Sequence, residues 1–171
     1  MQFSTLFHYC PCCGSDAFVV NNEKSMKCNH CGFVFYINAS AAVAAFICND
    51  KGELLVCRRA KEPAKGTLDL PGGFVDNHES AEEALRRELR EELGAEVVDA
   101  KYLFSLPNTY IYSGLSIPTL DIFFECSVKN YQNLQAADDV ESIAFMALSE
   151  VNSDDFGLTS VREGVKRYTG R

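Results

Sequence analysis

The chain has 171 residues, 47% apolar and 23% charged, which suits one ordinary domain plus a small appended module and leaves no room for two large cores. Sixteen Lys and Arg stand against 24 Asp and Glu, a net charge of −8, and the only basic groupings are Arg58-Arg59 and Arg86-Arg87 with Arg90. A surface of that sign repels phosphate backbones, so the expected partner is a small anionic molecule held through a divalent cation, with no polymeric nucleic acid.

The first residues, MQFSTLFHYC, carry neither a basic stretch nor a separate apolar one, and the longest weakly polar run, Ala39 to Cys48, is ten residues. A bilayer needs ~20. The expectation is a cytoplasmic protein with no membrane partner.

Cys10, Cys13, Cys28 and Cys31 read as C-x2-C, fourteen residues, then C-x2-C. Two such knuckles let four thiolates converge on one ion, and Zn²⁺ accepts a four-sulfur tetrahedron without strain. Gly14 and Gly32 follow the second cysteine of each pair, where a tight knuckle needs backbone freedom. Between the pairs, AFVVNNEKSMK reads as a hairpin with Asn21-Asn22 at the turn. The segment resembles a zinc ribbon. A core this small depends on its metal for folding, and with all four positions filled by protein the zinc has a structural role. Disulfides fit a cytoplasmic address poorly, and a redox C-x2-C lacks the βαβ pattern it needs. Cys12 and His30 lie inside the knuckles with the wrong spacing, while Cys48, Cys57 and Cys126 sit in apolar runs as small buried hydrophobes.

The pattern changes near Phe35 to Asn38, giving a ribbon over 1–36 and a larger domain over 37–171. ASAAVAAFIC (39–48) and ELLVCRR (53–59) read as strands joined by Asn49-Asp50-Lys51-Gly52, a hairpin. LDL (68–70) runs into a Pro71-Gly72-Gly73 turn and a short extended Phe74-Val75. Ser80 and Glu83 form a capping box, the helix continues to about Leu93, and Gly94 ends it. Apolar segments at 97–106, 119–128 and 142–148 precede a terminal helix near 159–168. Strands on both sides of a central helix, with another helix at the end, predict an α/β sandwich around a mixed sheet.

Within the central helix, Glu88, Glu91 and Glu92 stand at i, i+3 and i+4, so at roughly 100° per residue their carboxylates share one face. Leu85, Leu89 and Leu93 form an adjoining stripe that turns this face toward a cleft. Clustered carboxylates call for a hard, oxygen-seeking cation, Mg²⁺ or Mn²⁺, which also binds diphosphate oxygens. Arg87 flanks the face. Charge pattern alone favours a solvated helix surface.

The longer pattern decides between these. Gly73, Glu79, Arg87-Glu88-Leu89, Glu91-Glu92 and Gly94-Ala95 match G-x5-E-x7-R-E-U-x-E-E-x-G-U, with U aliphatic and Ala95 small for the last position. This resembles the box of the Nudix hydrolases, and a ribbon directly before it is similar to the arrangement in NADH, FAD and ADP-ribose pyrophosphatases. The resemblance implies an α/β/α sandwich over about 39–171 that hydrolyses a pyrophosphate bond in a nucleoside diphosphate derivative of the ADP-ribose, FAD or NADH type. It implies Glu88, Glu91, Glu92 and the Gly73 carbonyl as Mg²⁺ ligands, with Glu79, Arg87, Glu91 and Glu92 as catalytic residues. Glu92 or Glu91 is the first choice of general base, with Asp138, Asp139 and Glu141 as rivals.

Candidate substrate contacts are Arg58, Phe74, Tyr110, Tyr112 and Glu141. SLPNTYIYSG (105–114) stands where NADH pyrophosphatases carry SQPWPFPxS and keeps only a Ser and a Pro at altered spacing. A non-catalytic nucleotide sensor and a zinc-ribbon adaptor are the competing classes. The full set of box carboxylates speaks against the first, and the ribbon's balance of Lys24 and Lys27 with Asp16 and Glu23 speaks against the second. A homodimer is compatible with such a ribbon.

Overall fold

In the computed structural model, which describes residues 2–170, the chain forms two compact units. One comprises the N-terminal residues up to Ala39 together with Tyr110–Pro118, and the other comprises Ser40–Thr109 and the chain from Thr119 onward. No helix among the described residues is long and apolar enough to cross a membrane.

The first unit is a three-stranded antiparallel sheet of β1 (Phe18–Asn22), β2 (Ser25–Cys28) and β3 (Val34–Tyr36), in that order. The hairpin expected between the cysteine pairs is present, but its turn is two residues later. Asn22 ends β1, and its side chain accepts from the Lys24 amide at 3.0 Å and the Ser25 hydroxyl at 2.8 Å, closing the turn over Glu23-Lys24. The two knuckles repeat one geometry. Gly14 donates to the Cys10 carbonyl and Gly32 to the Cys28 carbonyl, at 2.8 and 2.9 Å, with φ of 74° and 79°. Buried apolar packing here amounts to Cys10, Phe18, Met26 and Cys28, too little to hold a fold without a cross-link.

The second unit contains β4 (Ser40–Ile47), β5 (Glu53–Arg59), β6 (Leu68–Asp69), α1 (Ala81–Leu93), most of β7 (Glu96–Tyr112) and β8 (Leu115–Lys129), β9 (Val140–Ala147) and α2 (Thr159–Thr169). Its strands make two sheets, β4-β8-β7 and β6-β5-β9. β4 runs parallel to β8, whereas β7 and β8 are joined by Ser113 and Gly114, both at positive φ, a connection that fits only antiparallel neighbours.

β4 and β5 do not form the expected hairpin. They touch through one bridge, Cys48 to Leu54, and the Asn49 amide bonded to Glu53, then part into separate sheets. The reason is burial. Both strands are buried on both faces, so each occupies an interior position whose edges are taken by other partners. β5 has β6 and β9. β4 has β8 on one edge and residues 71–75 on the other, through Val43 to the Gly73 carbonyl, Ala45 to the Pro71 carbonyl and Val75 to the Ala41 carbonyl.

Side chains alternate along both strands. Val43, Ala45, Ile47, Leu55 and Cys57 pack on Ala84, Leu85, Leu89 and Leu93 of α1. Ala44, Phe46, Leu54 and Val56 pack with Phe156 and with Val161 and Val165 of α2. Helices therefore cover opposite faces, the α/β/α sandwich that the element order implies. α1 begins and ends where its sequence dictates, with Ser80 and Glu83 exchanging cap bonds and Gly94 in the left-handed region. A buried Asp121 ties α2 to the sheet by accepting from Thr119, Asn108 and Ser160.

Gly164 lets α2 sit against Phe123, because a Cβ there would lie 2.7 Å from the buried ring. Gly164→Ala gains ~1 kcal/mol of helix propensity but overpacks the core at a cost of ~1–3 kcal/mol. We expect a net loss of roughly 1 kcal/mol in urea unfolding, opposite in sign to the propensity effect alone.

Candidate functional site

In the first unit the sulfurs of Cys10, Cys13, Cys28 and Cys31 all lie within 4.8 Å of one another, with Cys10 to Cys31 and Cys13 to Cys28 each at 3.7 Å. A tetrahedral ion with bonds of about 2.3 Å would set its sulfurs roughly 3.8 Å apart, so the four thiols already have the dimensions of a zinc site. Amides of Cys31 and His30 point at the Cys28 sulfur and hold its thiol down at about 6, whereas Cys13, against the lowering bond of the Ser15 amide, is pushed up to about 12 by burial and the neighbouring thiols, so the proton-free form is concentrated on Cys28. Cys12 lies outside the cluster and is exposed, while Cys57 and Cys126 are core residues.

In the second unit the turn before α1 is zipped to β4, and this brings its glycines into contact with other groups. At Gly72, φ is +146° and a Cβ would meet the Val43 carbonyl oxygen at 2.1 Å. At Gly73 a Cβ would meet the Glu88 carboxylate at 2.5 Å. The Gly73 carbonyl accepts the Val43 amide at 2.8 Å, which occupies one of its two lone pairs.

The three box glutamates lie on one helix face but at graded depth. Glu92 is 7% exposed and accepts the Gly72 amide at 2.9 Å. Burial pushes its carboxyl up to about 8, against that bond and with help from the charges of Glu88, Asp69 and Asp139. Glu88 is partly buried and also raised by burial, with Arg87 opposing. Glu91 has half its side chain in solvent.

Arg87 binds Glu79 through two nitrogens at 2.8 and 2.9 Å, Glu88 at 2.8 Å, Glu91 at 3.2 Å and the Phe74 carbonyl at 2.9 Å. Its hydrogen bonds hold the Glu79 carboxyl below the usual range. Among the described residues the cysteines are the group whose ligand atoms converge within 4.8 Å, and Glu79, Glu88 and Glu91 are instead spread around this guanidinium. The donor set still suits a hard divalent cation. It consists of carboxylate oxygens at three depths, the deepest with one amide partner, beside a glycine that offers no Cβ to block approach.

The loop before β9 seats on the end of α1, with Gln135 and Ala137 donating to the Leu93 and Glu92 carbonyls. Lys61 bridges Asp138 and Asp139, and Glu141 is exposed on β9. Of the three rival acids, Asp139 is the one whose charge reaches Glu92. Arg58 is exposed and lines a cleft of about 560 Å³ with Thr67, Ser142, Met146, Asp154 and Asp155. Phe74 is partly exposed. Tyr110 and Tyr112 fall in the unit that holds the cysteines, whereas Arg58, Phe74 and Glu141 fall in the other.

Sequence reasoning passed over Arg59 and Asp69, which form a largely buried ion pair beside the turn. The signal was present, since alternation from Leu55 and Cys57 sends Arg59 inward.

Comparison with known proteins agrees with this geometry. The profile of the NUDIX domain matches residues 39–166. NAD-capped RNA hydrolase NudC of Stutzerimonas stutzeri is 30% identical over 97 residues, 57% of this chain and 34% of the relative. The same enzyme of Chromobacterium violaceum is 31% identical over 104 residues, 61% and 38% respectively. The chain thus spans little more than a third of the length of these relatives. A NUDIX hydrolase from Nitrosomonas europaea has the same fold, with a TM-score of 0.67, 19% identity and coverage of 95% of this chain and 90% of that one. So does the MutT NUDIX hydrolase from Burkholderia pseudomallei, at 0.65, 23%, 75% and 97%.

The two glycines should respond differently to a methyl group. Gly72→Ala drives a Cβ into backbone and should cost ~3 kcal/mol or more, while Gly73→Ala meets the end of a side chain and should cost roughly 1 kcal/mol. Urea unfolding of both variants checks the order.

Proposed function

The chain belongs to the NUDIX family, and from that premise we propose that it hydrolyses a pyrophosphate bond in a nucleoside diphosphate derivative of the ADP-ribose, FAD or NADH type. The observation that carries the reading is the seating of Glu92, a buried carboxylate held by the Gly72 amide, next to Glu88 and Glu91 on the same helix face. Glu88, Glu91, Glu92 and the Gly73 carbonyl would hold Mg²⁺ or Mn²⁺, with Glu79 as a further acid beside them. The ion, when bound, polarises the phosphoryl group and lowers the pKa of an attacking water.

The chain's own residues do the rest. Arg87 orients Glu79, Glu88 and Glu91 at once, so their oxygens are directed before substrate arrives. A general base takes the proton of the water as its oxygen bonds to phosphorus. The bridging P–O bond then breaks, leaving two phosphate-terminated products. Glu92 or Glu91 is the first choice of base, and Asp139 is the strongest rival from the loop before β9. The cleft lined by Arg58 suits the nucleoside portion, with a cation and hydroxyl groups along its wall.

The cysteine cluster is read as a structural zinc site, because protein sulfur fills all four positions. The exclusion of polymeric nucleic acid is not maintained, since the relatives are named for acting on NAD-capped RNA. A dinucleotide diphosphate carried at the end of an RNA falls within the proposed substrate class. The cysteine-bearing unit exposes Leu6, Tyr9, Val19, Val20, Tyr36 and Tyr112, apolar area that supports a homodimer through this unit.

Glu92→Gln keeps shape and the acceptor oxygen for Gly72 but removes the charge, and Glu91→Gln does so at the exposed end of the set. Each should lower Mg²⁺-dependent turnover by roughly 100-fold or more while melting within a few degrees of the parent. Full activity in both variants contradicts the reading.

A further inference from the structure

Asp69 is buried, and it directly precedes the turn that supplies the Gly72 amide to Glu92. It ends β6, with Cys57 as its register partner on β5. One carboxylate oxygen accepts the Leu70 amide at 2.9 Å, which fixes the first peptide of the turn. The other oxygen is bound by Arg59.

Arg59 in turn holds a second segment. Its Nε donates to the Pro63 carbonyl at 2.7 Å, its amide donates to the Thr67 carbonyl at 3.0 Å, and its carbonyl accepts from Gly66 at 2.9 Å. Gly66 and Thr67 are wall residues of the cleft. The same segment is pressed from outside by Gly157, where a Cβ would lie 2.3 Å from the Thr67 hydroxyl oxygen. The guanidinium thus sits between the turn that seats a box glutamate and the loop that walls the cleft. The Asp69 charge also reaches Glu92 through space, and its bond to the Leu70 amide ties it to the backbone of the turn.

We propose that Asp69 and Arg59 are positioning residues, a largely buried ion pair that sets the 70–73 turn at Glu92 and the 63–67 wall of the cleft in one fixed relation. A fork-shaped guanidinium suits the task because it satisfies a carboxylate and a carbonyl at once, which an ammonium on a flexible stem does less well. The idea rests on the hydrolase reading for its effect on turnover, but the relation itself is measurable without substrate.

Removing one partner leaves a buried charge, whereas replacing both by apolar residues of similar volume is commonly tolerated. The test therefore uses the double variant Arg59→Met/Asp69→Leu beside Asp69→Asn, each followed by amide hydrogen exchange and by steady-state kinetics on the parent's best substrate. The expected result is faster exchange confined to residues 63–73, a double variant that remains folded, and kcat lower by roughly 10- to 100-fold with KM changed by less than about threefold. Unchanged exchange over 63–73, exchange accelerated throughout the second unit, or parental kcat in the double variant would each overturn the proposal. If the parent itself turns nothing over, the hydrolase reading is at fault, and exchange alone decides the positioning role.

Discussion

Glu92 takes a carboxylate out of water, and a buried charge is tolerated only where donors or a counter-ion compensate it. Gly72 supplies the amide. For that amide to reach, the chain must pass so close to β4 that no side chain fits at position 72, and the turn must be pinned along the edge of β4 by three backbone bonds. This pinning uses the edge of β4 that a hairpin with β5 would have taken, so the division into two sheets and the seat of the carboxylate follow from one arrangement. Glu88, Asp69 and Asp139 add negative potential at the same spot, which makes a divalent cation the natural complement of the site.

Local patterns in the sequence carried α1 and the cysteine knuckles almost entirely. Ser80, Glu83 and Gly94 act within one turn of themselves, and the cysteine spacing is set by two short knuckles, so neither depends on distant partners. The relation of β4 to β5 was not legible, because both strands have the apolar composition of a hairpin and differ from one only in what occupies their other edges. The helix period placed Glu88, Glu91 and Glu92 on one face but could not give their depth, which is fixed by the turn packed above them. Arg59 read only as half of a basic pair at the end of a strand, and Asp69 as the middle of the short LDL segment. Their burial comes from a strand pairing between positions distant in sequence, as the Cys57 to Asp69 register shows.

The two units divide charge unevenly. Lys24 and Lys27 balance Asp16 and Glu23 in the cysteine-bearing unit, so the whole excess of −8 lies in the unit with the box. The acidic unit carries the box carboxylates, whereas the neutral one carries the four-cysteine cluster and several exposed apolar side chains. The β7 and β8 strands belong to both, since their shared tip, Tyr110–Pro118, clusters with the cysteine unit.

The central claim is hydrolysis at phosphorus by the carboxylate site of α1. Incubation with ADP-ribose, FAD and NADH in heavy-oxygen water with Mg²⁺, followed by mass spectrometry of the products, tests it most directly. The account predicts two phosphate-terminated products from at least one substrate, with one heavy oxygen on a single terminal phosphate. A label on carbon, or no turnover of any of the three, would contradict it.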